Sequence, residues 1–315
     1  MAPSGSTPLG PSGVAEIAQE FARIQGVAHG KMRTHILSGT GHVTALRLSD
    51  ASGRNLLAKV ALDRHSDCLV SEWDGLKALA ATGTVQLPEL LACQAHAGHV
   101  VMLTQWLEAG GGGPEWSRFG YELAELHAAP VVAARRAGTE QGPMCYGYVR
   151  DNWLGAAPQR NSGWDDWIEF NRDARLGEQR NRAQKAGLLS VPELRALDEL
   201  IDGLDRWLPS NPRPSLLHGD LWSGNLVATG EGRVALIDPA VSIGDGWADI
   251  AMMQLFGGIS RACLDAYTES QPDREGVSER IAIYKLYHLL NHLNIFGRAY
   301  ASQVTGVLRG LGVGR

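Results

Sequence analysis

The stretch His218-Gly219-Asp220-Leu221-Trp222-Ser223-Gly224-Asn225 sets Asp220 five residues ahead of Asn225, and Asp238 follows at the end of the apolar run Val234-Ala235-Leu236-Ile237. Two carboxylates and an amide are hard oxygen donors, the kind that hold Mg²⁺ against a polyphosphate. In phosphoryl transfer a carboxylate also positions the attacking hydroxyl and accepts its proton, and an aspartate five residues before an asparagine is the spacing of a kinase catalytic loop. The pattern assigns Asp220 as base, with Asn225 and Asp238 as metal ligands. Either short motif alone reads as a polar turn at a strand end; the combination points to a metal-phosphate site.

A second set lies upstream. Lys59 sits among apolar neighbours in Leu56–Val60, and Glu72 follows thirteen residues later where a helical pattern begins. A strand lysine gripping nucleotide phosphates, oriented by a helix glutamate, is the other recurring kinase requirement. A strand-edge lysine and a helix-start charge favoured by the macrodipole are the competing readings. Gly39 and Gly41, in Ser38-Gly39-Thr40-Gly41-His42, suit either a turn covering phosphates or an ordinary hairpin.

These residues need elements to place them. Leu226–Thr229 and Arg233–Ile237 read as strands with Gly230-Glu231-Gly232 as their turn, a hairpin that brings Asn225 beside Asp238. Upstream, Val14–Ile24 suits a helix, and Thr34–Ala61 breaks into strands. Glu72 opens a helix ended by Gly83, and Val100–Leu107 is a buried strand running into Ala109-Gly110-Gly111-Gly112-Gly113-Pro114. Longer helices follow at Trp116–His127, Trp164–Lys185 and Pro192–Leu208, with a further series from Ala248. The expected fold is α+β and two-lobed: a flexible tail over 1–13, a small β-rich N-terminal lobe over 14–108, a hinge over 109–114, and a larger helical C-terminal lobe over 115–315. A cleft between two such lobes suits a small ligand.

The 315 residues are 44% hydrophobic and 20% charged, the range of an ordinary globular chain rather than a disordered or fibrous one. Lys and Arg number 29 against 34 Asp and Glu, a net charge of −5 that argues against nucleic acid or an anionic membrane as partner. Cys68, Cys93, Cys145 and Cys263 form no CxxC pair, which fits a reducing cytoplasm better than a disulfide framework or zinc site. No apolar run has membrane-spanning length, and the opening Pro-, Gly- and Ser-rich stretch does not resemble a signal peptide.

With these residues in view, the chain resembles the fructosamine kinase (ketosamine-3-kinase) family, which shares a protein-kinase-like fold with aminoglycoside and choline phosphotransferases. The likeness rests on the string from His218 to Asn225, with Trp222 its distinguishing addition, and on Asp151–Gly155, Pro158–Asn161, Trp164–Leu176, Asp238-Pro239-Ala240, Asp249–Met252 and Phe256-Gly257-Gly258. Ile243 and Gly246-Trp247 depart from the pattern.

The resemblance implies ATP- and Mg²⁺-dependent phosphorylation of a sugar hydroxyl on a ketosamine, free or protein-bound, after which the adduct becomes prone to break down. It gives Lys59 to ATP, Trp222 to the wall of the sugar-amine site, Asn152 to the substrate side, and His218 and Asp249 to bracing of the catalytic loop. Core packing is the competing account of Trp222, turn formation that of Asn152, and helix capping that of Asp249. An acceptor of aminoglycoside or choline type, and a catalytically silent binding protein of the same fold, are the alternatives.

Overall fold

The computed structural model describes residues 10–40, 43–62, 65–131, 146–230 and 232–314; Gly41, Cys145 and residues 1–9 of the expected tail lie outside them. The chain divides into two compact units, one running to Lys77 and including Leu87–Glu108, the other comprising Ala78–Gln86 and the chain from Ala109. Residues 78–86, expected in the first lobe, join the second unit because Gln86 is tied there. Its carbonyl accepts the Leu236 N–H at 2.9 Å, and its side chain accepts the Thr229 hydroxyl at 3.1 Å.

The first unit begins with α1 (Pro11–Ile24), followed by β1 (Arg33–Thr40), β2 (Val43–Ser49), β3 (Asn55–Leu62), α2 (Ser66–Thr82, whose last residues from Ala78 belong to the second unit), β4 (Leu90–His96) and β5 (His99–Gln105). The strands form an antiparallel sheet in the order β1-β2-β3-β5-β4. Side chains alternate across a strand, so Leu56, Ala58 and Val60 of β3 join Leu46 and Leu48 of β2 against Ile17, Ala18 and Phe21 of α1. The opposite face of β3 carries Lys59 and Ala61 toward α2, where Ala61, Val100 and Met102 pack with Leu69 and Leu76. Burying one such large apolar side chain stabilises by roughly 1.5–3 kcal/mol.

Two helices start earlier than the apolar pattern suggests. α1 begins at Pro11, inside the expected tail, because proline at the first helical position has its φ preset and lacks only an N–H that would be unpaired there. α2 begins at Ser66 with Asp67 in its first turn, which corrects the placement of Glu72 at a helix start: it lies a turn further in, where the macrodipole does not account for it.

The second unit is helical with short hairpins: α3 (Trp116–Ala128), β6 (Asn152–Leu154), β7 (Ala157–Gln159), α4 (Trp167–Glu169), a π-helical segment (Phe170–Leu176), α5 (Gly177–Lys185) and α6 (Val191–Asp202). Then come β8 (Ser215–Leu217), β9 (Leu226–Ala228), β10 (Val234–Leu236), β11 (Ser242–Gly244), α7 (Trp247–Leu255), α8 (Arg261–Ser270), α9 (Val277–Phe296) and α10 (Ala301–Gly310). The α4–α5 run starts at Trp167 rather than Trp164 because Asp166 caps it, accepting the Glu169 N–H at 2.8 Å. α3 packs on α8 and α7 on α9, while β8 pairs with β11 and β9 with β10.

Candidate active site

β8 ends at Leu217 and β9 starts at Leu226, so the intervening loop carries Asp220 and Asn225. The Asn225 amide holds this loop closed, its Nδ2 donating to the Asp220 backbone carbonyl at 2.8 Å and to Asp220 Oδ2 at 3.0 Å. Both amide hydrogens are thereby engaged, which leaves the oxygen Oδ1 for a cation. The β9–β10 hairpin pairs Leu226 with Leu236, and the Ile237 N–H donates to the Asn225 carbonyl at 3.1 Å. Asp238, the next residue, therefore leaves the hairpin beside Asn225. Its φ of +55° is left-handed, a conformation that costs a non-glycine residue energy and tends to persist at functional sites.

The Asp220 carboxyl is pushed up to about 7, chiefly by burial, against the hydrogen bond from Asn225 and with further help from the Asp238 and Asp249 charges. A carboxylate held near neutrality is a stronger proton acceptor than an exposed aspartate while still partly ionised at physiological pH.

His218 and Asp249 shape the backbone on which Asp220 sits. Asp249, buried at the start of α7, accepts the N–H groups of His218 and Gly219 at 2.7 and 2.9 Å, and His127 Nε2 lies 3.2 Å from it. Burial alone would raise this carboxyl, but the hydrogen bonds and the His127 and His218 rings bring it below the usual range. His218 is wholly buried, and burial lowers its pKa. Its neutral ring accepts the Asp220 N–H on Nδ1 at 3.3 Å and donates from Nε2 to the Ile237 carbonyl at 2.9 Å, so one tautomer suits both partners. Gly219 has a φ of +81°, and a Cβ there would lie 2.0 Å from the Ala240 carbonyl oxygen, so only glycine fits.

Asn152 is the site residue the structure relocates. It is buried, donates to the Val241 carbonyl at 2.8 Å, and accepts from Gln159 at 2.9 Å and Asn161 at 2.7 Å. Its amide is engaged in holding the segment after Asp238-Pro239, which corrects its placement on the substrate side. Trp222 is 36% exposed, its ring edge-on to Phe256 at 6.0 Å. It is not the core tryptophan of the competing account.

In the first unit, Lys59 Nζ lies 2.7 Å from Glu72 Oε1, both side chains largely buried. β3 supplies the lysine and the second turn of α2 the glutamate. Gly39 lies within β1, paired with Thr44, rather than in the turn.

Sequence reasoning missed a buried guanidinium. Arg175, in the π-helical segment, lies over the rings of Phe170 at 4.2 Å and Tyr287 at 5.4 Å, and donates to Asn161 Oδ1 at 2.6 Å and to the Arg160 carbonyl. It also missed Arg280, whose guanidinium donates to Asp245 Oδ2 at 2.7 Å inside the core. The available signal was an arginine in register with the apolar stripe Ile283, Tyr287 and Leu290 of α9, since a cation on a core-facing stripe requires a buried carboxylate.

The donor set fits a magnesium nucleotide. Among the described residues no cluster of three or more His, Cys, Asp or Glu side chains forms a metal cage, and Mg²⁺ at phosphoryl-transfer sites is held by one or two protein oxygens together with substrate phosphates. Asp238 and Asn225 supply such a pair.

The fructosamine kinase family profile matches residues 14–311. A probable ketoamine kinase of Synechocystis sp. is 37% identical over 238 residues, 75% of each chain. The chloroplastic protein-ribulosamine 3-kinase of Arabidopsis thaliana is 30% identical over 244 residues, 74% of this chain and 69% of that one. Among solved structures, one from Thermobifida fusca assigned to fructosamine-3-kinase aligns with a TM-score of 0.78 at 27% identity, covering 94% of this chain and 98% of that one. The aminoglycoside phosphotransferase APH(4)-Ia, in a ternary complex with AMP-PNP and hygromycin B, shares the fold at a TM-score of 0.63 and 17% identity, covering 93% and 98%. The kinase-like α+β fold has its counterparts among these solved structures, and the chain belongs to the fructosamine kinase family.

Proposed function

We propose that the chain transfers the γ-phosphoryl group of ATP to a hydroxyl of a ketosamine, at the 3-position by which its plant relatives are named. The observation that carries the reading is the half-buried Asp220 carboxylate, held by Asn225 at 3.0 Å and with a pKa raised to about 7. Asp220 accepts the proton of the attacking sugar hydroxyl as the new O–P bond forms and the bond to the ADP oxygen breaks. Asn225 Oδ1 and the Asp238 carboxylate are the ligands for Mg²⁺, which when bound neutralises charge on the phosphates. Lys59, oriented by Glu72, binds nucleotide phosphate. Asp249 and His218 keep the Asp220 backbone in place, and Trp222 offers its face to the sugar-amine part of the acceptor.

Site of action in a reducing cytoplasm is supported by the free thiols of Cys68, Cys93 and Cys263. Among the described residues no helix is long and apolar enough to cross a membrane.

The test is purified protein with Mg-ATP and synthetic fructosyl-lysine, ribulosyl-lysine, an aminoglycoside and choline, following ADP release and acceptor phosphorylation. ADP release with either ketosamine supports the reading. Phosphorylation confined to the aminoglycoside or choline, or to none, overturns it.

A further inference from the structure

Arg175 is a buried guanidinium whose hydrogen-bond partners are all uncharged. It donates to the Arg160 and Ala174 carbonyls and to Asn161 Oδ1, and it stands over the rings of Phe170 and Tyr287. The Asp151 charge reaches it, but that carboxylate is turned to the Asn161 and Ser162 N–H groups. Arg280, the other buried guanidinium of the second unit, pairs with Asp245 at 2.7 Å and Asp273 at 2.8 Å. A buried charge is ordinarily paired in that way, since carbonyl dipoles and ring faces offset only part of the cost of leaving water. Burial accordingly pulls the pKa of Arg175 down.

The segment that carries Arg175 winds around a cavity. Phe170–Leu176 is π-helical, a winding that is rare and recurs at functional sites. Its i→i+5 spacing lays Arg175 against Phe170, and both line a cavity of about 40 Å³ together with Asn171, Ser242, Asp249 and His288. At roughly 10–15 Å³ of such space per water, two or three waters or one small ion fit there, and a sugar or nucleotide does not.

The wall has donors to spare. His288 is buried, and its Nδ1 has no hydrogen-bond partner. Burial, helped by His292 and Arg175, pushes its pKa down to about 3, so the ring is neutral and carries one N–H. Ser242 adds a buried hydroxyl, and Asn171 gives one amide hydrogen to the Trp167 carbonyl at 2.8 Å while keeping a second. Asp249 is the one carboxylate among the lining residues, and its oxygens already accept the His218 and Gly219 N–H groups and face His127.

We propose that this cavity is a binding site for one small monovalent anion of the halide class, with the Arg175 guanidinium as its counter-charge and His288, Ser242 and Asn171 as neutral donors. A halide is a single atom and accepts from any direction, which suits donors that converge from the π-helical segment, β11 and α9. Its occupancy ties those three elements together, and β11 is the strand that follows Asp238-Pro239-Ala240. The site is independent of which acceptor the protein phosphorylates.

The experiment has two arms. Crystals of the wild-type chain are soaked in sodium bromide and the bromine located by its anomalous scattering. Melting of the wild type, Arg175→Gln and His288→Leu is followed in sodium bromide, sodium chloride and sodium gluconate at equal ionic strength. A bromine peak is expected in the cavity, in contact with the Arg175 guanidinium. The wild type should melt about 2–4 °C higher in either halide than in gluconate, with the difference reduced in His288→Leu and abolished in Arg175→Gln. Water alone in the cavity, or bromine confined to the surface, overturns the site whatever the melting curves show. A halide effect of wild-type size in both variants also overturns it. Should Arg175→Gln fail to fold, His288→Leu and the bromine map decide the question.

Discussion

Asn225 holds Asp220: its Nδ2 donates at 3.0 Å to the carboxylate and at 2.8 Å to the carbonyl of the same residue. One amide thus fixes both the position of the Asp220 carboxylate and the direction of its own Oδ1. Without this double contact, Asp220 would sit on a loop free to turn its carboxylate away from an acceptor.

Replacing Asp220 by Asn removes the proton acceptor with little change of shape. Turnover should fall about 10²–10⁴-fold, while nucleotide binding, measured by calorimetry, stays near the wild-type value because Lys59, Asn225 and Asp238 remain. Unchanged turnover would remove Asp220 from the role of base.

The same substitution should stabilise the fold at alkaline pH. A half-buried carboxyl raised from 3.8 to about 7 is ionised at a cost above pH 7, and the cost is relieved as pH falls through 7 toward 4, where the folded chain holds a proton the unfolded chain has lost. Asp220→Asn should therefore melt a few degrees higher than wild type at pH 8, with the gap narrowing at pH 5. A gap that widens on acidification contradicts this.

Activity itself should show an acid limb. Only ionised Asp220 accepts the hydroxyl proton, so kcat/KM for the acceptor should decline about tenfold per unit below a midpoint near 7. A profile flat between pH 5.5 and 8 would exclude a titrating base of this kind.

Glu72→Gln separates orientation from charge. Lys59 would keep its own charge but lose the carboxylate 2.7 Å away. A charge-assisted hydrogen bond is worth about 1.5–3 kcal/mol, so KM for ATP should rise ~10–100-fold with KM for the acceptor little changed. Equal changes in both constants would point to general damage.

Asp249→Asn should act through folding. The carboxylate accepts the N–H groups of His218 and Gly219 and faces His127. An asparagine must turn its own NH₂ toward a donor, leaving a buried group unpaired at a cost of about 1–3 kcal/mol. A urea midpoint equal to wild type would show that these bonds contribute little.

Local spacing along the chain was enough to read the Asp220, Asn225 and Asp238 cluster and the strand that carries Lys59. A five-residue loop and a short hairpin leave few ways to separate their ends, and strand alternation decides which neighbours share a face with Lys59. Those relations hold wherever the elements lie, so the residue types and their order determined them. Tertiary structure alone decided the rest. Asn152 meets Val241 across 89 positions, Asp249 meets the His218 N–H across 31, and Arg280 meets Asp245 across 35. Such contacts exist only once separate elements have packed, and a polar side chain in the sequence does not announce whether its partner will be substrate, water or a distant backbone carbonyl. That is why Asn152 reads as a substrate contact in the chain and proves a loop support in the fold, and why Arg175, with aromatic faces and carbonyls for partners, becomes visible only there.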